Sequence, residues 1–158
     1  MIESYTISFF GHRRFDNTIE FEKRLEKILI DIVLKKEYVE FLIGRDGDFD
    51  IITSSVIKRV IRNYGHNNTA FVLVLPYNKA EFFKNEHSFL NYYDEVEICS
   101  ESAKAHYKAA FQIRNRNMVD RSDLIVCCIQ HNYGGAYKTI EYAMKKNKDI
   151  INLADIKI

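Results

Sequence analysis

Three glycine-bearing segments carry most of the side chains in this chain that could do chemistry. Gly11-His12-Arg13-Arg14 follows an apolar run. Glycine lets a ligand approach the backbone closely, and a guanidinium can fork onto phosphate oxygens. A tight turn with solvated arginines explains the same four residues. Gly44-Arg45-Asp46-Gly47-Asp48-Phe49-Asp50 precedes a helical pattern. Two glycines before a helix start form an anion cradle, because free N–H groups and the helix dipole both point outward. The three aspartates could cap the helix, accept ribose hydroxyls or hold a metal. Calcium is rejected, since Ile51 and Ile57 stand where an EF-type loop needs glycine and glutamate. The third segment, His131-Asn132-Tyr133-Gly134-Gly135-Ala136, also opens a helix. It is the better anion site, with no carboxylate beside its paired glycines.

Two further residues join these loops as candidates. Arg114 lies four positions before Met118 and shares its helix face. If Met118 packs on a sheet, Arg114 lies at the core boundary, where a charge needs a partner. An anionic ligand or Glu141 could supply it, or the stem of an exposed arginine could pack there. Asn117, three positions after this arginine, is a further candidate contact. His66, His87, His106 and His131 are scattered without metal-ligand spacing, and HExxH, CxxC, P-loop and GxSxG motifs are absent. No cofactor or metal is expected.

The elements that must position these residues alternate. Residues 5–10, 38–43, 70–75 and 124–129 are apolar runs that read as strands, and 93–99 and 150–153 as two more. Continuous apolar runs suit strands covered on both faces. Phe21, Leu25, Ile28, Leu29 and Ile32 follow one helical face, with Asn17 and Glu20 as a capping pair. Ile52, Val56 and Val60 mark a second helix ending near Gly65. Residues 79–85 suggest a short helix and 102–121 a long one. A last helix carries Ile140, Ala143 and Met144 inward. Strict alternation implies an α/β, Rossmann-like fold: a mostly parallel sheet of about six strands with helices on both faces. Right-handed crossovers give the strand order 4-3-2-1-5-6. The chain then reverses direction between strands 1 and 5, and ligands bind outside the strand ends at such a switch point. All three glycine segments fall there.

Composition narrows the classes. The 158 residues suit one domain, and 47% hydrophobic content supports a sizeable core. The formal net charge of +1 argues against nucleic acid as a partner, because that binding rests on many cation–phosphate contacts. No secretory leader or membrane span is legible, so a cytoplasmic protein is expected. Cys99, Cys127 and Cys128 form no paired framework and read as reduced thiols. Cys127 and Cys128 would point to opposite sheet faces.

Several segments in order resemble the SLOG superfamily, and most closely its small YpsA-like members. They are the GHR turn (Gly11, His12, Arg13), the GRDGDFD loop from Gly44 to Asp50, and the block FQIRNRNMVDRSDLIVCCIQHNYGGAYKTIEYA from Phe111 to Ala143. The last block is the specific part. The resemblance implies a Rossmann-like fold and a pocket for a nucleotide or nucleotide-derived, phosphate-bearing ligand, used as a sensor or regulatory module. It also implies an alternative, since LOG phosphoribohydrolases of the same superfamily cleave the N-glycosidic bond of nucleoside monophosphates. Arg114 and Glu141 match the LOG arginine and glutamate, and Gly134 and Gly135 its paired glycines. Tyr133 replaces the proline of the PGGxGTxxE motif, and Tyr137-Lys138 its Gly-Thr pair. DNA binding, as in the DprA branch, is a third expectation, and pairing into a homodimer or higher homo-oligomer a fourth.

Overall fold

Alternation along each strand builds two cores. In β1 (Ser4–Gly11), β2 (Tyr38–Ile43), β3 (Thr69–Leu75) and β5 (Leu124–Cys128), successive side chains point to opposite faces. Ile7, Phe9, Phe41, Leu73 and Val126 enter one cluster; Phe10, Leu42, Val72, Ile125 and Cys127 enter the other. Cys128 faces away from Cys127, as the strand pleat requires. The computed structural model describes residues 1–16 and 18–154. The expected cap at Asn17 therefore lies outside the described residues.

Six strands, completed by β4 (Glu95–Ile98) and β6 (Asp149–Asn152), form one parallel sheet in the order β4-β3-β2-β1-β5-β6. This is the order that alternation and crossover handedness predict. The first face is covered by α1 (Thr18–Lys35) and α2 (Asp48–Tyr64) through Phe21, Leu25, Leu29, Phe49, Val56 and Val60. Each such fully buried side chain contributes about 1.5–3 kcal/mol relative to exposure. The second face is covered by α6 (Tyr107–Asp120) and α7 (Gly135–Lys145) through Met118, Val119, Ile140 and Ala143. The architecture is an α/β Rossmann-like fold.

Three details differ from the sequence reading. The long helix expected over 102–121 is two: α5 (Ser100–Ala103) and α6, parted at His106. His106 has extended backbone, and its Nδ1 accepts the Lys108 N–H, so it caps a new helix instead of continuing the old one. The short helix α3 (Ala80–Lys84) is followed by a second, α4 (Glu86–Tyr92), which buries Phe89. Met144 does not pack inward: it is 43% exposed, because Ile140 and Ala143 already define the buried stripe of α7. Among the described residues, no helix is long and apolar enough to cross a membrane.

Candidate functional site

The loops after β1, β2 and β5 meet because their strands are neighbours. Gly11 pairs with Cys128, and Ser8 with Leu42, so the three strand ends open side by side. The first two loops are laced by backbone. The Asp48 N–H donates to the Arg13 carbonyl at 2.7 Å. A Cβ on Gly47 would stand 2.6 Å from Arg13 Cα, so only glycine allows this approach. A Cβ on Gly11 would stand 2.2 Å from Cγ of Phe49, whose buried ring closes the floor beneath the loops.

A cavity of about 340 Å³ opens where these segments converge. Of the residues singled out in the sequence, Gly11, His12, Arg13, Gly44, Gly47 and Asp50 line it from the first two loops. Arg114, Gly134, Gly135 and Ala136 line it from α6 and the start of α7. Arg14 and Asp46 line it too.

Arg114 is buried and fully engaged by protein. Its Nη2 donates to Asp46 Oδ2 at 2.6 Å, Nη1 to the Val74 carbonyl at 2.9 Å, and Nε to Asn115 Oδ1 at 2.9 Å. Its partner is thus Asp46, not Glu141. Glu141 is exposed and does not line the cavity, because Thr139, Ile140 and Ala143 take the inward side of α7. The Arg–Glu pair of the LOG pattern is therefore not assembled in this cavity.

Three other sequence candidates also lie outside it. Arg45 turns away to Glu81 and Tyr93, with bonds of 3.0 and 3.2 Å, and lines a smaller neighbouring cavity. Asp48 is exposed on the first turn of α2 and makes no side-chain cap. Asn117 lies on the flank of α6 away from the cavity, whereas Phe111 and Asn115 lie on the near flank of Arg114.

The electrostatics are mixed but lean positive. Asp46 is held by Arg114 and also by Lys79, 3.6 Å away. Asp50 accepts the Asp46 N–H at 2.9 Å. Burial, reinforced by the Asp46 charge, pushes the Asp50 carboxyl up to about 7. The Phe111 ring gathers three cations around it, Arg13, Lys79 and Arg114, each within 6 Å of its centroid. Arg13 and Arg14 are exposed at the mouth. On the same cavity, α7 is preceded by Gly134, with φ of 93° and no side-chain cap. The first N–H groups of such a helix have no partner within it, and the first turn of α7 carries no acidic residue.

Sequence reasoning missed an aromatic array on the β5 side. His12 is buried, and its Nε2 accepts the Gln130 N–H at 3.1 Å, which places the ring proton on Nδ1. Burial, with a smaller contribution from His131, lowers its pKa to about 4. His131 stacks on His12 at 3.5 Å, and Tyr133 stacks on His131 at 3.8 Å. Buried His131 Nδ1 has no hydrogen-bond partner. The only sequence signal was the i, i+2 spacing of His131 and Tyr133 before the glycines, which does not reveal a partner in the first loop.

The fold and site define a Rossmann-like α/β protein with a cavity of mixed polar and apolar lining at the topological switch point. No family profile and no curated protein matches the sequence. Solved structures do. DNA processing protein A (DprA) from Streptococcus pneumoniae aligns with TM-score 0.65 and 17% identity, over 92% of this chain and 49% of that one. DprA from Helicobacter pylori, whose structure addresses its single-stranded DNA binding mode, aligns with TM-score 0.63 and 14% identity, over 92% and 63%. TM1055, a structural-genomics structure, aligns with TM-score 0.53 and 16% identity, over 92% and 72%. This chain therefore spans about half of the S. pneumoniae protein. At these identities the likeness is one of fold: an α/β Rossmann-like architecture common to this chain and these structures.

Proposed function

We propose that the cavity binds the phosphate-bearing part of a nucleotide or nucleotide-derived ligand, and that the protein is a sensor or regulatory module of the YpsA-like kind. The observation that supports this reading is convergence: Arg13, Arg114 and the Gly134–Gly135 turn line one cavity. In this reading the uncapped start of α7 and Arg13 hold the phosphate, which suits a helix N-terminus facing an exposed guanidinium. Arg114 contributes field more than contact, because each of its nitrogens already has a protein acceptor. Asp50, its carboxyl raised to about 7, is only partly ionised at neutral pH and adds less opposing charge than an ordinary aspartate.

The alternative of nucleotide N-glycosidase activity needs a carboxylate where Glu141 was expected, and Glu141 faces solvent. A second reading, single-stranded DNA in the same cleft, draws on the fold shared with H. pylori DprA. The formal net charge of +1 weighs against it.

Thermal-shift titration with inorganic phosphate, ribose 5-phosphate, nucleoside monophosphates and an oligothymidylate tests the reading. A ligand that binds only the folded state raises Tm. Stabilisation by the small phosphates, reduced in Arg13→Ala, is expected. Stabilisation by the oligonucleotide alone would favour the DNA reading. Release of free base from AMP, followed by chromatography, would establish the hydrolase instead.

A further inference from the structure

The ring ladder beside the proposed phosphate site has a built end and an open end. His12 is the built end: it is buried, and its Nε2 is anchored by the Gln130 N–H. His131 lies on it with 17° between ring planes, and Tyr133 lies on His131 with 18°. Three rings from two distant loops are thus nearly parallel and in contact. Tyr133 is the open end, 67% exposed at the cavity wall. It immediately precedes Gly134, whose φ of 93° turns the chain into the first turn of α7. A planar surface and the helix start are therefore adjacent along the backbone.

We infer that the outer face of Tyr133 is a stacking platform for the heterocyclic base of the ligand, so the cavity selects nucleobase-bearing phosphates over sugar phosphates and free phosphate. This rests on the phosphate-binding reading above. A side chain ordered before binding loses less freedom when a base stacks on it, and the ladder supplies that order: Tyr133 is stacked on His131, and His131 on anchored His12. The buried end, His12, is an uncharged ring at neutral pH, because burial lowers its pKa to about 4. Every base has a π-face, so the platform recognises the class of ligand and leaves the choice among bases to other contacts.

The test compares two probe sets, ribose 5-phosphate and the monophosphates AMP, GMP, CMP and UMP, by calorimetric titration of the parent, Tyr133→Ala and Tyr133→Phe. Tyr133 is exposed, so both variants are expected to keep the parent Tm. At least one nucleotide should bind the parent more tightly than ribose 5-phosphate. Tyr133→Ala should weaken that nucleotide by about tenfold, Tyr133→Phe should restore it, and ribose 5-phosphate should be indifferent to both. Equal binding of nucleotide and sugar phosphate overturns the platform while leaving the phosphate site standing. So does equal loss of both probes in Tyr133→Ala, or no loss of either. Binding of neither probe set by the parent overturns the phosphate site and the platform together.

Discussion

Arg114 and Asp46 form a 2.6 Å ion pair that ties the buried middle of α6 to the loop after β2, 68 residues away in sequence. The Arg114 side chain is 3% exposed and that of Asp46 16%. A guanidinium so placed is tolerable only with a counter-charge and satisfied N–H groups. The pair holds the loop in the shape that leaves a cavity beside it.

Removing one partner should therefore cost more than a surface ion pair would. Asp46→Ala leaves Arg114 with two neutral acceptors and no hydrogen-bonded carboxylate. A loss of about 3 kcal/mol is expected, at the low end for a broken buried pair because Asp46 is partly solvated. Asp46→Asn should lose less, since it keeps an acceptor. Urea unfolding of the three proteins measures this. A loss below about 0.5 kcal/mol for Asp46→Ala, typical of exposed pairs, would contradict it.

The contact of Gly11 with Phe49 makes a packing prediction. Any β-carbon at position 11 collides with the Phe49 ring, which is 1% exposed. Gly11→Ala should destabilise by about 1–3 kcal/mol through overpacking. Adding Phe49→Leu should recover part of that loss relative to Phe49→Leu alone. Strictly additive losses in the double-mutant cycle would show that the two sites are not coupled as their contact requires.

Asp50 predicts a pH dependence. Its carboxyl is raised from 3.8 to about 7 by burial and the Asp46 charge. Between those values the folded state holds a proton that the unfolded chain releases. The contribution to stability is thus complete below pH 3.8, falls as pH rises toward 7, and is flat above. Asp50→Asn removes this loss and can still accept the Asp46 N–H. The Tm of the variant relative to the parent should rise between pH 4 and pH 7.5; a constant difference would mean an ordinary carboxylate.

His12 predicts the opposite slope. Folding lowers its pKa from 6.5 to about 4, so the unfolded chain binds more protons between those values. Its contribution is complete above pH 6.5 and is lost as pH falls toward 4. Long-range ¹⁵N–¹H NMR should show a neutral Nδ1–H tautomer for His12, with Nε2 unprotonated at pH 6. An imidazolium signal for this residue at that pH would show that the ring is not held by the Gln130 N–H.

Sequence alone determined the sheet. Apolar runs alternating with helical periodicity leave little choice for strands buried on both faces, and crossover handedness then orders them, so β1 and β5 flank the reversal and the glycine loops gather at one edge. Local signals also marked Arg114 as a charge needing a partner, but not which partner. The sequence offered an anionic ligand or Glu141; the place is taken by Asp46, while α7 spends its inner face on Thr139, Ile140 and Ala143 and leaves Glu141 outside. The break at His106 was hidden because helix periodicity runs through a cap that depends on one side chain's bond to the backbone. The histidine–tyrosine ladder was invisible for a different reason. His12 and His131 come together only through the pairing of β1 with β5, and ring stacking leaves no periodic trace in either segment. Patterns that repeat along the chain could be read from it; contacts between single residues of distant loops were decided by how the helices and loops settled on the sheet.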